Sequence, residues 1–136
     1  MSTQPRVLFV CVENACRSQM AEGFARLHGT GQVEAFSAGS KPSGAVNPRA
    51  VAFMAERGID LSANRSKPLD EFRDQPFDAV VTMGCGDACP RLPARIREDW
   101  ALPDPKHLSD AEFRAVRDEI ERRVLDLLAR LQGDRE

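Results

Sequence analysis

An α/β fold, with a parallel sheet covered by helices on both faces, follows from three features of the 136-residue sequence. Short apolar runs alternate with segments of helical periodicity. The first run, Val7 to Val10, is apolar without interruption, as a strand buried on both faces requires. Helix-capping residues fall between the runs, at Asn47-Pro48, Gly58 and Ser109.

The elements follow in order. Residues 6–11 (RVLFVC) read as a buried strand. Residues 17–28 suit a helix with Met20, Phe24 and Leu27 on one face. Residues 33–38 (VEAFSA) form a second strand, closed by Gly39. Asn47 is an N-cap, Pro48 takes the first helical position, and Gly58 lies just past the end of that helix. Residues 78–83 (DAVVTM) are a third strand, and residues 97–102 (REDWAL) a short fourth with a weaker pattern. Ser109 and Glu112 make a capping box. It opens a last helix with Phe113, Val116, Ile120, Val124, Leu127, Leu128 and Leu131 on one stripe.

No repeat or linker divides the chain, so residues 1–136 are expected to form one domain, long enough for a sizeable core. With 42% hydrophobic and 29% charged residues, it has the composition of a soluble globular protein. The net charge of −2 and pI near 5.7 argue against a nucleic-acid partner. No apolar run approaches the roughly 20 residues of a membrane span. The run Val7 to Val12 is too short for a secretory signal. A cytoplasmic location is therefore expected. There the four cysteines are catalytic, redox-active or metal-bound rather than structural disulfides.

Ligands of parallel sheets bind beyond the carboxyl ends of the strands, and Cys11 sits at one such end. Five residues, Val12, Glu13, Asn14, Ala15 and Cys16, separate it from Arg17. A loop of that length, running into a helix N-terminus, can turn its N–H groups inward as an anion cradle. The Arg17 guanidinium would close it with two parallel donors suited to a tetrahedral oxyanion. Such positive surroundings favour the thiolate, the nucleophilic form of cysteine. Asn14 suits mid-loop because it tolerates left-handed backbone angles. Ser18 is placed to donate to the Cys11 sulfur. The same spacing recurs at Cys85 and Arg91, but there Pro90 and Pro93 prevent a helix from starting. Cys16 reads as a small buried residue at the helix start.

"CVENACRSQMAEGF" resembles the phosphate-loop signature of the low-molecular-weight tyrosine phosphatase fold, and "RSQMAEG" is similar to its arsenate reductase branch. The resemblance covers nearly the whole chain. "FSAG" (Phe36–Gly39), "GIDLS" (Gly58–Ser62), "DAVVTM", "CPRLP" (Cys89–Pro93), "EDWALPDP" (Glu98–Pro105) and "VRDEI" (Val116–Ile120) fall in the family's order. It implies a three-layer sandwich with a four-stranded parallel sheet, and arsenate bound by residues 12–18 with phosphate or sulfate as competitors. One departure is Glu13, which stands where the family commonly has glycine. A carboxylate aimed at the anion would repel it, so Glu13 is expected to point out to solvent.

Asp104 in "LPDP" is a common turn initiator. The resemblance gives it a second role, as the general acid that protonates the leaving oxygen. Cys85 and Cys89 lie where thioredoxin-linked members carry a second and third cysteine. Gly84 and Gly86 permit the backbone change a disulfide cascade needs. Their three-residue separation is shorter than the thioredoxin-linked pattern, and "MGCGDACP" also resembles members that use a low-molecular-weight thiol such as mycothiol. Thioredoxin, glutaredoxin and a small thiol all remain candidate reductants.

Some family members bind potassium near the loop. Asn14, Glu22 and Ser37 match that site, but Arg65 and Lys67 stand where a hydroxyl and a carboxylate are expected. A lysine ammonium can replace the ion, so no potassium, and no other cofactor, is expected. Zinc is disfavoured because Cys85 and Cys89 lack the usual spacing. His28 and His107 read as surface residues. Two other readings share the loop: a phosphotyrosine phosphatase and a non-catalytic oxyanion-binding thiol module. Lys106 after the Asp-Pro pair, where phosphatases carry an aromatic, disfavours the first, and the second has no need of Asp104.

Overall fold

The structure is a computed structural model that describes residues 4–72, 74–84 and 94–133. Four strands, β1 (Arg6–Cys11), β2 (Glu34–Gly39), β3 (Phe77–Thr82) and β4 (Ala94–Asp99), form one sheet in the order β2-β1-β3-β4. Every pairing is parallel. Strand ends therefore line up on one edge: Cys11 pairs with Gly39, Val10 with Thr82, and Thr82 with Asp99. From β1 the chain moves to one side to form β2, then returns to the other to form β3. The crevice at that reversal opens at the end of β1, where Cys11 lies.

Three helices, α1 (Arg17–His28), α2 (Pro48–Ala55) and α3 (Asp110–Gly133), pack on one face of the sheet. Val7, Phe9, Ala79 and Val81 meet Met20, Phe24, Phe53, Phe113, Ile120 and Leu127 there in one core. The opposite face buries Leu8, Val10, Ala38 and Val80 under Leu69 and Phe72 of a short 3-10 helix, Leu69–Phe72. Residues buried on both faces explain the uninterrupted apolar run of β1.

The predicted helices agree with the observed ones. Asn47 accepts a hydrogen bond from the Arg49 N–H at 2.8 Å, and Gly58 adopts φ +76° after α2. Ser109 and Glu112 exchange the two bonds of a capping box, at 3.1 and 3.2 Å. All seven apolar residues of the α3 stripe are buried.

Three expectations need correction. Leu27 is exposed: residues 17–25 of α1 are all buried, and the helix leaves the core in its last turn, at Arg26, Leu27 and His28. The middle strands begin one residue away from the predicted positions, at Glu34 and Phe77. The fourth strand covers 94–99, not 97–102. Trp100 and Leu102 are buried, but they follow the strand and fold over the core. Leu102 N–H bonds back to the Trp100 carbonyl at 2.7 Å, a turn that ends the extended run.

Phe113, fully buried with its ring 4.8 Å from that of Phe53, joins α3 to α2. Phe113→Ala is expected to cost about 3–5 kcal/mol in urea unfolding, the range for large cavities left in a core. A loss under about 1 kcal/mol, ordinary for a peripheral site, would remove Phe113 from that core.

Candidate active site

The loop between β1 and α1 is shaped by where its carbonyls go. Those of Cys11, Val12 and Glu13 accept from the N–H groups of Ser40, Lys41 and Ser43, at 3.2, 2.8 and 3.1 Å. Ser66 Oγ adds a bond to the Glu13 carbonyl at 2.6 Å. Asn14 O accepts from Gln19 Nε2, Ala15 O from Asn47 N–H and Cys16 O from Met20 N–H. With every carbonyl from 11 to 16 engaged, the loop's N–H groups are left as donors for an anion in the space they surround.

Asn14 makes the turn at φ 52°, the positive angle that asparagine tolerates. It is fully buried, and its side chain ties three segments together. Nδ2 donates to Ser18 Oγ at 2.8 Å, while Oδ1 accepts from Lys67 N–H at 2.8 Å and Gln19 Nε2 at 2.9 Å. Ser18 Oγ, holding that donor, lies 2.9 Å from Cys11 Sγ and has its own hydrogen free for the sulfur.

Gly39 explains how closely the loop packs on the sheet. A Cβ there would lie 2.6 Å from the Val12 carbonyl and 2.9 Å from the Asn14 nitrogen. Both are backbone atoms that cannot swing aside.

Arg17 is 6% exposed and its guanidinium meets two segments, the end of β3 and the stretch after β4. Nη1 donates to the carbonyls of Met83 at 2.6 Å and Leu102 at 3.0 Å, and Nη2 lies 4.0 Å from Asp104 Oδ2. The expected two-pronged grip on an anion is thus divided: one nitrogen is committed to the protein and the other faces the acid. Gly84, at φ +75°, leaves room for this, since a Cβ would sit 2.8 Å from Nη1.

Cys11, Glu13, Ala15, Cys16, Arg17 and Asp104 line one small cavity. Asp104 is a turn residue as well as a site residue, because its Oδ1 caps Lys106 N–H at 3.1 Å. Burial, then the nearby Asp104 and Cys11, push the Cys16 thiol up to about 12, so it stays protonated at neutral pH. Glu13 does not simply face solvent as expected; it lines the cavity and pairs with Lys106 Nζ at 2.6 Å. Sequence reasoning also missed Arg49, whose Nη1 donates to the Lys106 carbonyl at 3.0 Å and steadies the Asp104 segment. Cys85 and Cys89 lie outside the described residues.

Behind the loop, Lys67 Nζ lies 3.4 Å from Ser37 Oγ, 3.8 Å from Glu22 Oε1 and 3.1 Å from the Arg65 carbonyl. Glu22 is buried and also pairs with Arg26 at 2.8 Å. Burial holds Lys67 below the ordinary lysine range, against the pull of Glu22. An ammonium already faces the carboxylate and the hydroxyl, so these residues do not fit a potassium ion. Arg65 turns away to Glu71, with both contacts at 2.7 Å. His28 bonds Glu121 at 2.7 Å and stacks on Phe24, and His107 is exposed, so neither reaches the cavity.

A cysteine and an arginine converging on one anion loop, at the switch point of a parallel sheet, define a class of cysteine-dependent enzymes that act on oxyanions. The model of the low molecular weight phosphotyrosine protein phosphatases matches residues 6–136, and the chain belongs to that family. It is 43% identical over 129 residues to the glutaredoxin arsenate reductase of Synechocystis sp., covering 93% of this chain and 98% of that relative. It is 41% identical over 122 residues to an arsenate reductase of Staphylococcus aureus, covering 87% and 92%. A solved structure described as an arsenate reductase in the phosphate binding state superposes with a TM-score of 0.85 at 42% identity, covering 94% of this chain and 99% of that one. Among the described residues, no helix is long and apolar enough to cross a membrane.

Gly39→Ala should weaken inorganic phosphate binding at least about tenfold by calorimetry, a change of about 1.4 kcal/mol, because the loop must move off the sheet. Unchanged affinity in a folded variant would show that the close approach of Gly39 does not shape the cradle.

Proposed function

We propose that the protein reduces arsenate to arsenite, with Cys11 as nucleophile, Arg17 and the 12–18 loop as the oxyanion site, and Asp104 as general acid. The observation that carries this is the convergence of Cys11, Arg17 and Asp104 on one cavity, with the Ser18 hydroxyl against the sulfur. Relatives bearing the name arsenate reductase, matched over nearly their whole length, supply the substrate.

Arsenate docks in the loop, and the Cys11 thiolate attacks arsenic(V). One arsenate oxygen departs as water, with a proton from Asp104. A second thiol then attacks Cys11 Sγ. The sulfur–arsenic bond breaks, its electron pair stays on arsenic, and arsenite leaves as a disulfide forms. Two thiols are oxidised for each arsenic(V) reduced to arsenic(III). Cys16 does not supply that thiol while it remains protonated. Cys85 is the internal candidate, with Cys89 attacking it in turn and the resulting disulfide passing to thioredoxin or glutaredoxin. Gly84, its neighbour in sequence, lies against Arg17 at the cavity. Attack by an external thiol such as mycothiol is the other route, and the relative named glutaredoxin arsenate reductase favours glutaredoxin as the reductant.

The family includes phosphatases, and the same loop can cleave a phosphate ester weakly. Arsenate-dependent consumption of reductant, compared with turnover of an aryl phosphate, separates the two. Arsenate should dominate, and Cys11→Ser should abolish its reduction, because a neutral hydroxyl there has no adjacent base. Robust reduction by Cys11→Ser would remove Cys11 from the nucleophile role.

If the cascade is internal, Cys89→Ala should stall after one turnover, with mass spectrometry showing Cys11 joined to Cys85. Cys85→Ala and Cys89→Ala both fully active, with Cys11 joined only to an external thiol, would establish the small-thiol route instead.

A further inference from the structure

We propose that Lys106 belongs to the oxyanion site and acts on the anion through Glu13, by cancelling the negative charge that this chain carries inside its own anion loop. The inference rests on the reading of residues 12–18 as an oxyanion site.

The problem it answers is electrostatic. Glu13 is the second residue of the loop, and its side chain lines the same small cavity as Cys11, Arg17 and Asp104. An uncompensated carboxylate there repels an incoming oxyanion. At the effective dielectric of a protein surface, like charges a few ångströms apart alter affinity by tenfold or more. Glu13 Oε2 instead lies 2.6 Å from Lys106 Nζ. The hydrogen bond to Glu13 holds Lys106 above the ordinary lysine range, so the ammonium is charged wherever the loop binds an anion.

Lys106 is delivered to that point independently of Glu13. The Arg49 guanidinium donates to the carbonyls of Lys106 at 3.0 Å and Pro105 at 3.4 Å. Arg49 is itself fixed by Asp110 at 3.0 Å and by the Phe113 ring, 4.8 Å from its centroid. The backbone of Lys106 is anchored from α2 and α3, and the side chain reaches Glu13, a cavity-lining residue 93 positions away. The rim then holds two carboxylates, Glu13 and Asp104, against two cations, Arg17 and Lys106. Without Lys106 the balance turns against an anion.

The test measures inorganic phosphate affinity by calorimetry at low, fixed ionic strength, on the full-length reduced protein. Wild type is compared with Lys106→Met, Lys106→Arg and the double variant Glu13→Gln/Lys106→Met, each checked for an intact melting transition. Lys106→Met should bind phosphate about tenfold more weakly. Lys106→Arg, which keeps the cation, should bind close to wild type. The double variant should recover most of the loss, a rescue that a merely structural lysine would not show. Lys106→Gln replaces Lys106→Met if the latter melts early. Wild-type affinity in Lys106→Met overturns the inference, as does a double variant no better than the single one. A wild-type protein that binds no phosphate overturns the inference and, separately, the reading of the loop on which it rests.

Discussion

The site depends on one constraint: the six carbonyls from Cys11 to Cys16 must all find donors on the outer side of the loop. Three of those donors are the N–H groups of Ser40, Lys41 and Ser43, in the irregular segment that follows β2, and a fourth is Asn47 N–H, the cap of α2. Gln19 supplies a side-chain donor to the Asn14 carbonyl, Ser66 adds a second donor to that of Glu13, and Met20 N–H takes that of Cys16. A buried carbonyl left unpaired costs about 1–3 kcal/mol, so a loop that lost two or three of these partners would find another conformation. The segment 40–47 looks like a featureless connection in sequence, yet it is half of the mould. Gly39 lets that mould close, because only a residue without Cβ lets the loop approach β2 so nearly.

Arg17 carries the same logic to the other side of the cavity. By binding the carbonyls of Met83 and Leu102 it joins the ends of β3 and of the segment after β4 to the anion loop. A buried guanidinium with those partners is satisfied without an anion, so its position is fixed by the protein itself. Preorganised donors of this kind do not need to reorient as charge develops on the departing oxygen. Lysine does not replace Arg17 there, since one ammonium cannot serve two carbonyls and face the Asp104 carboxylate in fixed directions.

Much of this was legible in the sequence where a local rule governs it. The ends of α1, the caps of α2 and α3 and the burial of β1 are written in nearest neighbours and periodicity. Asn14 at positive φ and Ser18 against Cys11 follow from residue type and position in a short loop. The misreadings have a common cause. Ala94 to Asp99 is an edge strand, paired on one side only, and its arginines at 95 and 97 are exposed, so its apolar pattern is faint. Trp100 and Leu102, more apolar, drew the strand toward themselves although they serve to cover the core. Leu27 has the right spacing from Met20, but the last turn of α1, Arg26 to His28, runs out of the core, and periodicity does not mark where burial along a helix stops. The Glu13–Lys106 ion pair and the bond from Arg49 to the Lys106 carbonyl join residues far apart in the chain, and no local rule pairs half-buried polar groups across such distances.

The clearest sign of function is where α1 breaks the rules of a stable helix. Its N-cap, Cys16, makes no side-chain capping bond, and no acidic residue stands in its first turn. A serine or aspartate at the cap would stabilise the helix by about 1 kcal/mol, and an acidic first turn would add to it through the helix dipole. The first helical residue is instead Arg17, a cation at the positive end. Each of these choices weakens the helix on its own and leaves its N-terminal field uncancelled. In the proposed site, an oxyanion would supply what they omit: acceptors for N–H groups and negative charge for the dipole. Cys16 fits this scheme better than serine, because a small, protonated thiol fills the space without competing for those donors. On the proposed reading of the 12–18 loop, the start of α1 gives up its own capping so that a bound anion can complete it.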